Sequence, residues 1–247
     1  MNRIDQIRPD APVLARPGPH PVGIETVAFT RPDQPDLSDP KITTRRTERR
    51  LTVTLWYPAA NRSRQGDSYE TLIRDGITRA TLNGPAREGV APAKGPFPLV
   101  VLSHGWPGNR WLMSPHALTL ASHGYVVAAI DHEGSTYDNQ EPVGATFYHR
   151  PRDQRFVLDC IAAPDAPLKG VIDTDRTAVI GYSMGGYGAL VFGGAGLSEA
   201  AMTLEASPAD DLLRPLRAET TQHEALTDPR LKAIVAFGPW GGKAGLW

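Results

Sequence analysis

Hydrophobic and polar positions follow two different patterns along the chain, and the change comes near residue 97. Before it, residues 1–21 include five prolines and predict an extended N-terminal arm. Two segments predict strands: Val22–Thr30, and Leu51–Tyr57, where apolar and polar positions alternate with a period of two. The stretch that follows is polar and rich in Gly and Pro, and within it a short helix is predicted around Tyr69–Leu82.

After residue 97, apolar runs alternate with segments of helical periodicity. Continuous apolar runs are typical of strands whose two faces are both covered. The predicted strands are Phe97–Ser103, Tyr125–Ile130, Thr177–Ile180 and Leu231–Phe237, and the predicted helices are Ser114–His123, Pro151–Ala162 and Met184–Gly194. This alternation predicts an α/β fold with a mostly parallel sheet and helices on both faces, built as a single domain over residues 1–247. Residues 197–228 are predicted to form a cap insertion in that domain.

Composition narrows the function classes. The 247 residues are 40% hydrophobic and 21% charged, which is enough to build one sizeable core. A net charge of −1 gives no general attraction to nucleic acid or to an anionic membrane, so neither is predicted as a partner. The basic run Arg45–Arg50 is interrupted by Glu48, and we interpret it as a solvated approach to a strand.

Neither the N-terminal residues nor the single cysteine indicates a particular function. The first residues lack a signal-peptide core, and no apolar run is long enough to span a bilayer. We therefore expect a cytoplasmic protein with no membrane span. The single cysteine, Cys160, lies in an apolar helical run, so a packing role is predicted for it and no intrachain disulfide can form.

The segment Gly181–Gly185, GYSMG, carries the main chemical signal. It follows a predicted strand and opens a predicted helix, which is the context that exposes a serine at the end of the strand. Glycines are needed beside such a turn because side chains there would collide with the neighbouring strand and helix. Ser183 is therefore predicted to be the nucleophile of a serine hydrolase. The alternative is a glycine-rich turn that holds an incidental serine.

A second signal, Leu102–Gly108, follows the first strand of the alternating part. Acyl transfer needs two donors for the oxyanion of its tetrahedral intermediate. In this kind of site one donor is the N–H after the nucleophile, here that of Met184, and the other comes from the loop after this earlier strand. Trp106 is the candidate for the second donor. For His104 we favour a structural hydrogen bond over a role as general base.

Together these segments resemble the bacterial dienelactone-hydrolase-like group, which is itself similar to platelet-activating-factor acetylhydrolases. The matching segments are Leu51–Ala59, Val100–Gly105, Ser122–Thr136, Arg152–Asp159, Thr177–Gly188 and Asp228–Gly242. The resemblance implies an α/β-hydrolase fold and an esterase or lipase-like acyl hydrolase that acts on a small-molecule ester or lactone without a metal or cofactor. It also implies Ser183 as nucleophile, with Trp106 and Met184 as oxyanion donors.

The acid and the histidine of this group do not have their counterparts here. In the resembled group the acid follows the next strand after the serine, and the histidine follows the strand after that. Only 64 residues follow Ser183, and residues 238–247 contain neither an acidic residue nor a histidine. The catalytic acid and histidine are therefore not found in this chain, and their usual positions are expected to lie beyond Trp247.

This tail has two consequences for the predicted fold. The sequence predicts a domain truncated at its C-terminus, which lacks its last two strands and self-associates through an exposed sheet edge. Trp240 and Trp247 lie in the tail itself, and the sequence indicates no function for either of them.

Two histidines are weaker replacements for the missing base. His132 follows Asp131 at the C-terminal end of a strand, where we interpret the pair as shaping the loop. His223 is the one histidine after Ser183, and it lies in the predicted cap, where a mobile surface residue is expected. Without a base, Ser183 is a poorly activated hydroxyl.

Three function classes stay open. The first is an ester hydrolase that works through an acyl-enzyme on Ser183. The second is a non-catalytic protein on a hydrolase fold, and the third is an acyltransferase or peptidase on the same scaffold. Trp106, Trp111 and Tyr187 are candidates for an acyl pocket, with core packing as the alternative and the preferred one for Tyr187. Glu133–Thr136 is either a loop beside the site or a set of turn formers.

Overall fold

The structure is a computed structural model that describes residues 2–4, 6–39, 44–61, 66–224 and 227–247. Its strands are β1 (Asn2–Arg3), β2 (Val22–Pro35), β3 (Arg46–Pro58), β4 (Ser68–Leu72), β5 (Arg79–Asn83), β6 (Arg87–Glu88), β7 (Phe97–Ser103), β8 (Val126–Asp131), β9 (Ile172–Tyr182) and β10 (Leu231–Phe237). Its α-helices are α1 (Ser114–Ser122), α2 (Ala145–Ala162), α3 (Met184–Phe192), α4 (Glu199–Thr203), α5 (Asp210–Leu213) and α6 (Thr221–Glu224). Short 3-10 helices cover Val13–Ala15, Arg214–Leu216 and Gly242–Ala244.

Seven of the described strands form one sheet in the order β10-β9-β7-β8-β3-β2-β6. The four strands after residue 97 are parallel to one another, whereas β3 runs antiparallel to both β8 and β2. The predicted α/β fold with a mostly parallel sheet is confirmed. The carboxyl ends of β7, β8 and β9 meet at one edge, which is where ligands bind in open sheets of this kind.

Strand β7 explains why the sheet is covered on both faces. Successive side chains of a strand point to opposite faces, so an unbroken apolar run has no solvent-facing side. Val100 and Leu102 pack with α1 on one face, whereas Leu99 and Val101 pack with α2 and α3 on the other. A third apolar cluster joins α2 and α3 to the segment after residue 197 and to Leu246.

The helix predicted around Tyr69–Leu82 is wrong, because this segment forms β4 and β5. The two strands pair antiparallel from Ser68 opposite Asn83 to Leu72 opposite Arg79. Local turn chemistry between them prevents a helix: the Asp75 carboxylate accepts the N–H groups of Ile77 and Thr78, and Gly76 has a φ of 71°.

Helix α2 begins at Ala145 and not at the predicted Pro151, so a proline lies inside it. Proline has no N–H and leaves the carbonyl four residues earlier, that of Phe147, without its helical partner. The hydroxyl of Tyr187 donates to the Phe147 oxygen over 3.0 Å and replaces that bond. Tyr187 is fully buried, so it serves packing and the helix.

Strand β10 lies at one edge of the sheet in the described part of the chain. Its apolar side chains are partly open to solvent, with Ile234 36%, Val235 40% and Phe237 44% exposed. The predicted exposure of this strand is therefore present, while the self-association expected from it stays a prediction. Among the helices of the described residues, not one combines the length and the apolar character needed to cross a bilayer.

The C-terminal tail folds back onto the domain through its last two residues. Leu246 is buried in the third apolar cluster, and its carbonyl accepts the Ser198 N–H over 2.9 Å. The ring of Trp247 packs against the same cluster, with its centre 6.1 Å from that of the Tyr187 ring. Trp247, for which the sequence indicates no function, therefore serves packing between the tail and α3.

Candidate active site

Ser183 lies in a strained turn between β9 and α3. Its φ is 52°, a region that residues other than glycine rarely adopt and that is typical of functional sites. The turn is held by the Ser183 N–H, which donates to Phe237 O over 2.9 Å, and by the Ser183 carbonyl, which accepts from Trp240 N over 3.0 Å. The side chain is half-buried and sits at the N-terminal end of α3.

The glycines around Ser183 allow a backbone approach that a side chain would prevent. A Cβ at Gly181 would lie 2.1 Å from Gly185 O, and one at Gly185 would lie 2.1 Å from Ser103 O. The first contact closes the turn on itself. The second presses the start of α3 against the end of β7, so the turn and the loop after β7 meet directly.

The loop after β7 passes directly beside Ser183. A Cβ at Gly105 would lie 3.4 Å from Ser183 Cβ. The structure thus brings together the two predicted segments, in which Trp106 follows Gly105 and Met184 follows Ser183. In the described residues, neither the Trp106 N–H nor the Met184 N–H has a protein acceptor. The Trp106 side chain is half-buried against the third cluster.

A chain of buried polar groups lies below this loop. The Ser103 hydroxyl is 2.9 Å from His132 Nε2, and His132 Nδ1 is 2.9 Å from an Asp153 oxygen. All three residues are 0% exposed. Burial, with the charge of Arg150, lowers the pKa of His132 to about 3, so its ring is neutral. The neutral tautomer that fits both neighbours carries its proton on Nδ1 and accepts from Ser103.

Asp153 is held by Arg49, the one residue of the basic run Arg45–Arg50 that is buried; the interpretation of the run as solvated holds for its other residues, which are exposed, and is wrong for Arg49. Arg49 is buried and donates through Nε over 2.9 Å and through Nη2 over 2.8 Å to the two carboxylate oxygens of Asp153. Burial by itself would raise the pKa of Asp153, but the charge of Arg49 and its hydrogen bonds hold that pKa below its ordinary value. The carboxylate is therefore ionised.

Arg150 is a second buried cation, and it contacts the loop itself. Its Nη1 donates to His104 O over 2.5 Å, and its Nη2 donates to Gly105 O over 3.3 Å and to the Ser135 hydroxyl. Burial lowers the pKa of Arg150 to about 9, which leaves it charged at neutral pH. Sequence reasoning missed Arg150 and Asp153, because α2 also carries Arg152, Arg155 and Asp159 and no local pattern distinguishes its buried charges from the others.

The histidines do not supply a base to Ser183. His104 is buried: its Nδ1 donates to Gly105 O over 2.6 Å, and its Nε2 accepts from His132 N over 3.3 Å, as the structural interpretation expects. The other histidines of the described chain are His20 on the arm, His116 on α1 with its ring centre 6.1 Å from that of Phe237, His123 directly after α1, His149 buried on α2, and His223 on α6. In these described ranges, no histidine or carboxylate is hydrogen-bonded to the Ser183 hydroxyl.

The tail that ends at Trp247 supplies no base either. Within the described residues it reaches Ser183 through the backbone of Trp240, while Trp247 packs beside Tyr187. The expectation that the usual positions of the acid and the histidine lie beyond Trp247 therefore stays a prediction.

The aromatic residues divide between core and site. Trp111 stacks on Tyr69 with ring centres 5.0 Å apart in the core beside α1, which favours the core-packing alternative for Trp111. The core packing preferred for Tyr187 agrees with its full burial. Trp240 stacks on Phe147 with ring centres 5.2 Å apart. Because the Trp240 N–H also bonds to Ser183 O, this ring stands close to the serine.

A large cavity in the described residues lies away from Ser183. It has a volume of about 750 Å³ and lies between the N-terminal arm and α1, where Pro12, His20 and Leu118 are among its walls. No residue of the loop after β7 or of the turn at Ser183 lines it. We therefore do not connect this cavity with the chemistry of Ser183.

Two family models match the chain. The model described as platelet-activating factor acetylhydrolase, isoform II, matches residues 14–140, and the PET hydrolase-like model matches residues 91–206. Together they span residues 14–206, which include the loop after β7 and the turn at Ser183 but not β10.

Two individual relatives agree with the family models. A platelet-activating factor acetylhydrolase from Canis lupus familiaris is 37% identical over 153 residues, covering 44% of this chain and 33% of the relative. A solved ferulic acid esterase from Streptomyces cinnamoneus matches with a TM-score of 0.57 and 27% identity, over 76% of this chain and 57% of that one. The chain thus spans about a third of the length of the dog protein. With its α/β-hydrolase fold, the chain belongs to the platelet-activating factor acetylhydrolase, isoform II family.

Proposed function

We propose that this chain is a serine-type carboxylic-ester hydrolase in which Ser183 is the nucleophile and the amides of Trp106 and Met184 hold the oxyanion. The observation that carries the proposal is the approach of Gly105 to Ser183: a Cβ at Gly105 would lie 3.4 Å from the Ser183 Cβ. The N–H groups of Trp106 and Met184, for which the described residues supply no acceptor, directly follow Gly105 and Ser183 in the chain, which supports their role as the two donors of a nucleophile elbow.

The reaction follows the acyl-enzyme course of such sites. The Ser183 oxygen attacks the acyl carbon of the ester while its proton passes to a base from solution, water or added imidazole, and the carbonyl electrons move onto the carbonyl oxygen. The negative oxygen is held by the Trp106 and Met184 N–H groups. When the intermediate collapses, the alcohol leaves with a proton, and water then attacks the acyl group and regenerates the serine.

The amides act where the charge develops. An amide donor aimed at the oxyanion is worth about 3 kcal/mol in such sites. The N-terminal end of α3 adds the partial positive charge of the helix to the Met184 side of the hole. Small-molecule acyl esters or lactones are the proposed substrates, because both relatives are named for the hydrolysis of small esters.

Ser183 has no base hydrogen-bonded to it in the described part of the chain. The two buried histidines nearest the loop, His104 and His132, are both engaged with other partners. We therefore expect Ser183 in this chain to react slowly. The same observation favours a second candidate function, a non-catalytic protein on the hydrolase fold that keeps the turn without the chemistry.

Trapping the acyl-enzyme separates the two candidates. The chain is incubated with a short-chain p-nitrophenyl ester and analysed by intact-mass spectrometry, with and without added imidazole as an external base. The hydrolase proposal predicts one acyl group on Ser183, formed faster as imidazole rises. Ser183→Ala should abolish it, whereas Ser38→Ala, which removes an exposed hydroxyl bonded only to its own turn, should not. Folded chain that gains no acyl group at any imidazole concentration contradicts the proposal.

A further inference from the structure

The carbonyl of Gly105 is bound by two side chains that have no contact with Ser183. Arg150 Nη2 donates to it over 3.3 Å, and His104 Nδ1 donates to it over 2.6 Å. We propose that Arg150 and His104 are positioning residues that orient the amide of Trp106 toward the oxyanion. This inference rests on the proposed function for the role of that amide.

The peptide bond carries the orientation from one residue to the next. The carbonyl of Gly105 and the N–H of Trp106 belong to the same planar peptide unit, so fixing the direction of one fixes the direction of the other. Two donors on the carbonyl therefore determine where the N–H points. A cation on the carbonyl also polarises the unit and strengthens the N–H as a donor, because linked hydrogen bonds reinforce one another.

His104 can donate to Gly105 because its other ring nitrogen is occupied. Nε2 accepts from His132 N over 3.3 Å, which leaves the proton of the neutral ring on Nδ1, facing the Gly105 oxygen. A Cβ at Gly108 would lie 2.5 Å from His104 Nδ1, so the loop closes around the ring and holds it in place. The buried His132 thus determines the tautomer of His104 through its own backbone.

Arg150 contacts both the loop after β7 and helix α3, which carries the Met184 amide. A Cβ at Gly188 on α3 would lie 2.5 Å from Arg150 Cγ, so the arginine stem packs closely on that helix while its guanidinium reaches the loop. One turn further along α2, Gln154 donates to Gly185 O over 3.1 Å. Helix α2 therefore holds both sides of the proposed oxyanion hole at one separation.

The amide itself can be observed without any reaction. The chain has five tryptophans, so selective ¹⁵N-tryptophan labelling gives five backbone amide resonances, and Trp106→Phe assigns the one of interest. We expect Arg150→Met to displace the Trp106 resonance more than any of the other four. Arg150→Lys, which keeps the charge but not the fork, should displace it less. Arg152→Met is the control, because Arg152 stacks on Tyr148 and donates to Tyr148 O instead of the loop.

Reactivity is measured on the same variants with a fluorophosphonate probe. Arg150→Met should slow labelling of Ser183 by about tenfold or more, since misdirecting one oxyanion donor removes much of its effect. Arg152→Met should label at the wild-type rate. At His104, Asn keeps a donor near the Nδ1 position and Leu does not, so His104→Asn should label faster than His104→Leu.

The outcomes separate this inference from the proposed function. A wild-type chain that the probe does not label contradicts the function, whereas the Trp106 resonance still reports on orientation. Folded Arg150→Met with an unmoved Trp106 resonance overturns the positioning role, even if Ser183 is labelled. Should Arg150→Met fail to fold, the His104→Asn and His104→Leu pair decides: equal labelling rates and equal Trp106 resonances overturn the proposal.

Discussion

Two serines at neighbouring strand ends have opposite surroundings. Ser183 is half-buried in a strained turn, beside two amides with no acceptor, and has no histidine within hydrogen-bond reach in the described chain. Ser103 has a histidine at 2.9 Å, and that histidine has a carboxylate at 2.9 Å, but all three residues are fully buried. Ser183 is open to a substrate but lacks a hydrogen-bonded base, whereas Ser103 has a hydrogen-bonded histidine but is closed to a substrate.

The difference shows that the hydrogen-bonded series of a catalytic triad does not by itself make a serine reactive. A serine, a histidine and a carboxylate in series activate a hydroxyl only if a substrate carbonyl can reach it and its oxyanion can be held. Around Ser103 the same three groups instead fix a loop, because His132 orients His104 through its backbone N–H. As we propose for Arg150 and His104, the polar groups below the loop would serve Ser183 by orienting the Trp106 amide and not by accepting a proton.

Asp153 is expected to have the largest effect. Asp153→Asn leaves the Arg49 guanidinium buried without a countercharge, which costs about 3–5 kcal/mol of unfolding free energy. Urea unfolding of this variant and of Asp173→Asn, whose ion pair with Arg176 is largely exposed, makes the comparison. A loss no greater than that of the control would mean that the buried network contributes little to the fold.

The lowered pKa of His132 predicts how the unfolding free energy changes with pH. Its pKa is lowered to about 3 in the folded chain, below the ordinary value of 6.5. The unfolded chain therefore takes up a proton first as pH falls, so stability is full above pH 6.5 and is lost progressively toward pH 3, by up to about 1.4 kcal/mol per pH unit for such a group. Urea unfolding at pH 7 and pH 5 measures the slope, which His132→Asn should reduce. An unchanged slope in that variant would contradict the buried neutral ring.

Tyr187 tests whether α2 needs its replacement hydrogen bond. Tyr187→Phe leaves the buried Phe147 carbonyl without a partner, at a cost of about 1–2 kcal/mol. Pro151→Ala restores a helical N–H to that carbonyl, so the loss in the double variant should be smaller than in Tyr187→Phe alone. Thermal unfolding of the single and double variants checks the cycle, and additive losses would contradict the explanation.

Ser103 is expected to have the smallest effect. Ser103→Ala removes one buried hydroxyl and leaves His132 Nε2 without its partner, for a cost of about 1 kcal/mol. It should leave the rate of fluorophosphonate labelling almost unchanged, because Ser103 is not open to the probe. Loss of labelling in folded Ser103→Ala would reverse the roles assigned to the two serines.

The sequence predicted what depends on local pattern. The unbroken apolar run Phe97–Ser103 identified a strand covered on both faces, and β10 was predicted with its observed bounds, Leu231–Phe237. The glycines at 181 and 185 indicated the tight turn around Ser183 because backbone approach requires them whatever the rest of the chain does. The family expected from these segments is confirmed.

What the sequence did not predict depends on contacts between distant segments. Arg49 and Asp153 are 104 positions apart, and no local pattern indicates that a basic residue at the start of a strand is buried against a helix. The start of α2 was predicted at Pro151, because a proline inside a helix removes one backbone hydrogen bond. The hydroxyl of Tyr187, from another helix, replaces that bond, and no local pattern indicates this. The sequence left pocket and core packing open for Trp111, because its burial beside Tyr69 involves a hairpin that was itself predicted as a helix.

Mapping the modified serine tests directly whether Ser183, and not Ser103, is the reactive serine. The wild-type chain is treated with a fluorophosphonate and digested, and the adduct is located by tandem mass spectrometry, with Ser183→Ala and Ser103→Ala in parallel. The account predicts a slow adduct on Ser183 in the wild type and in Ser103→Ala, and none in Ser183→Ala. An adduct on Ser103, or folded wild-type protein with no adduct at Ser183, would contradict it.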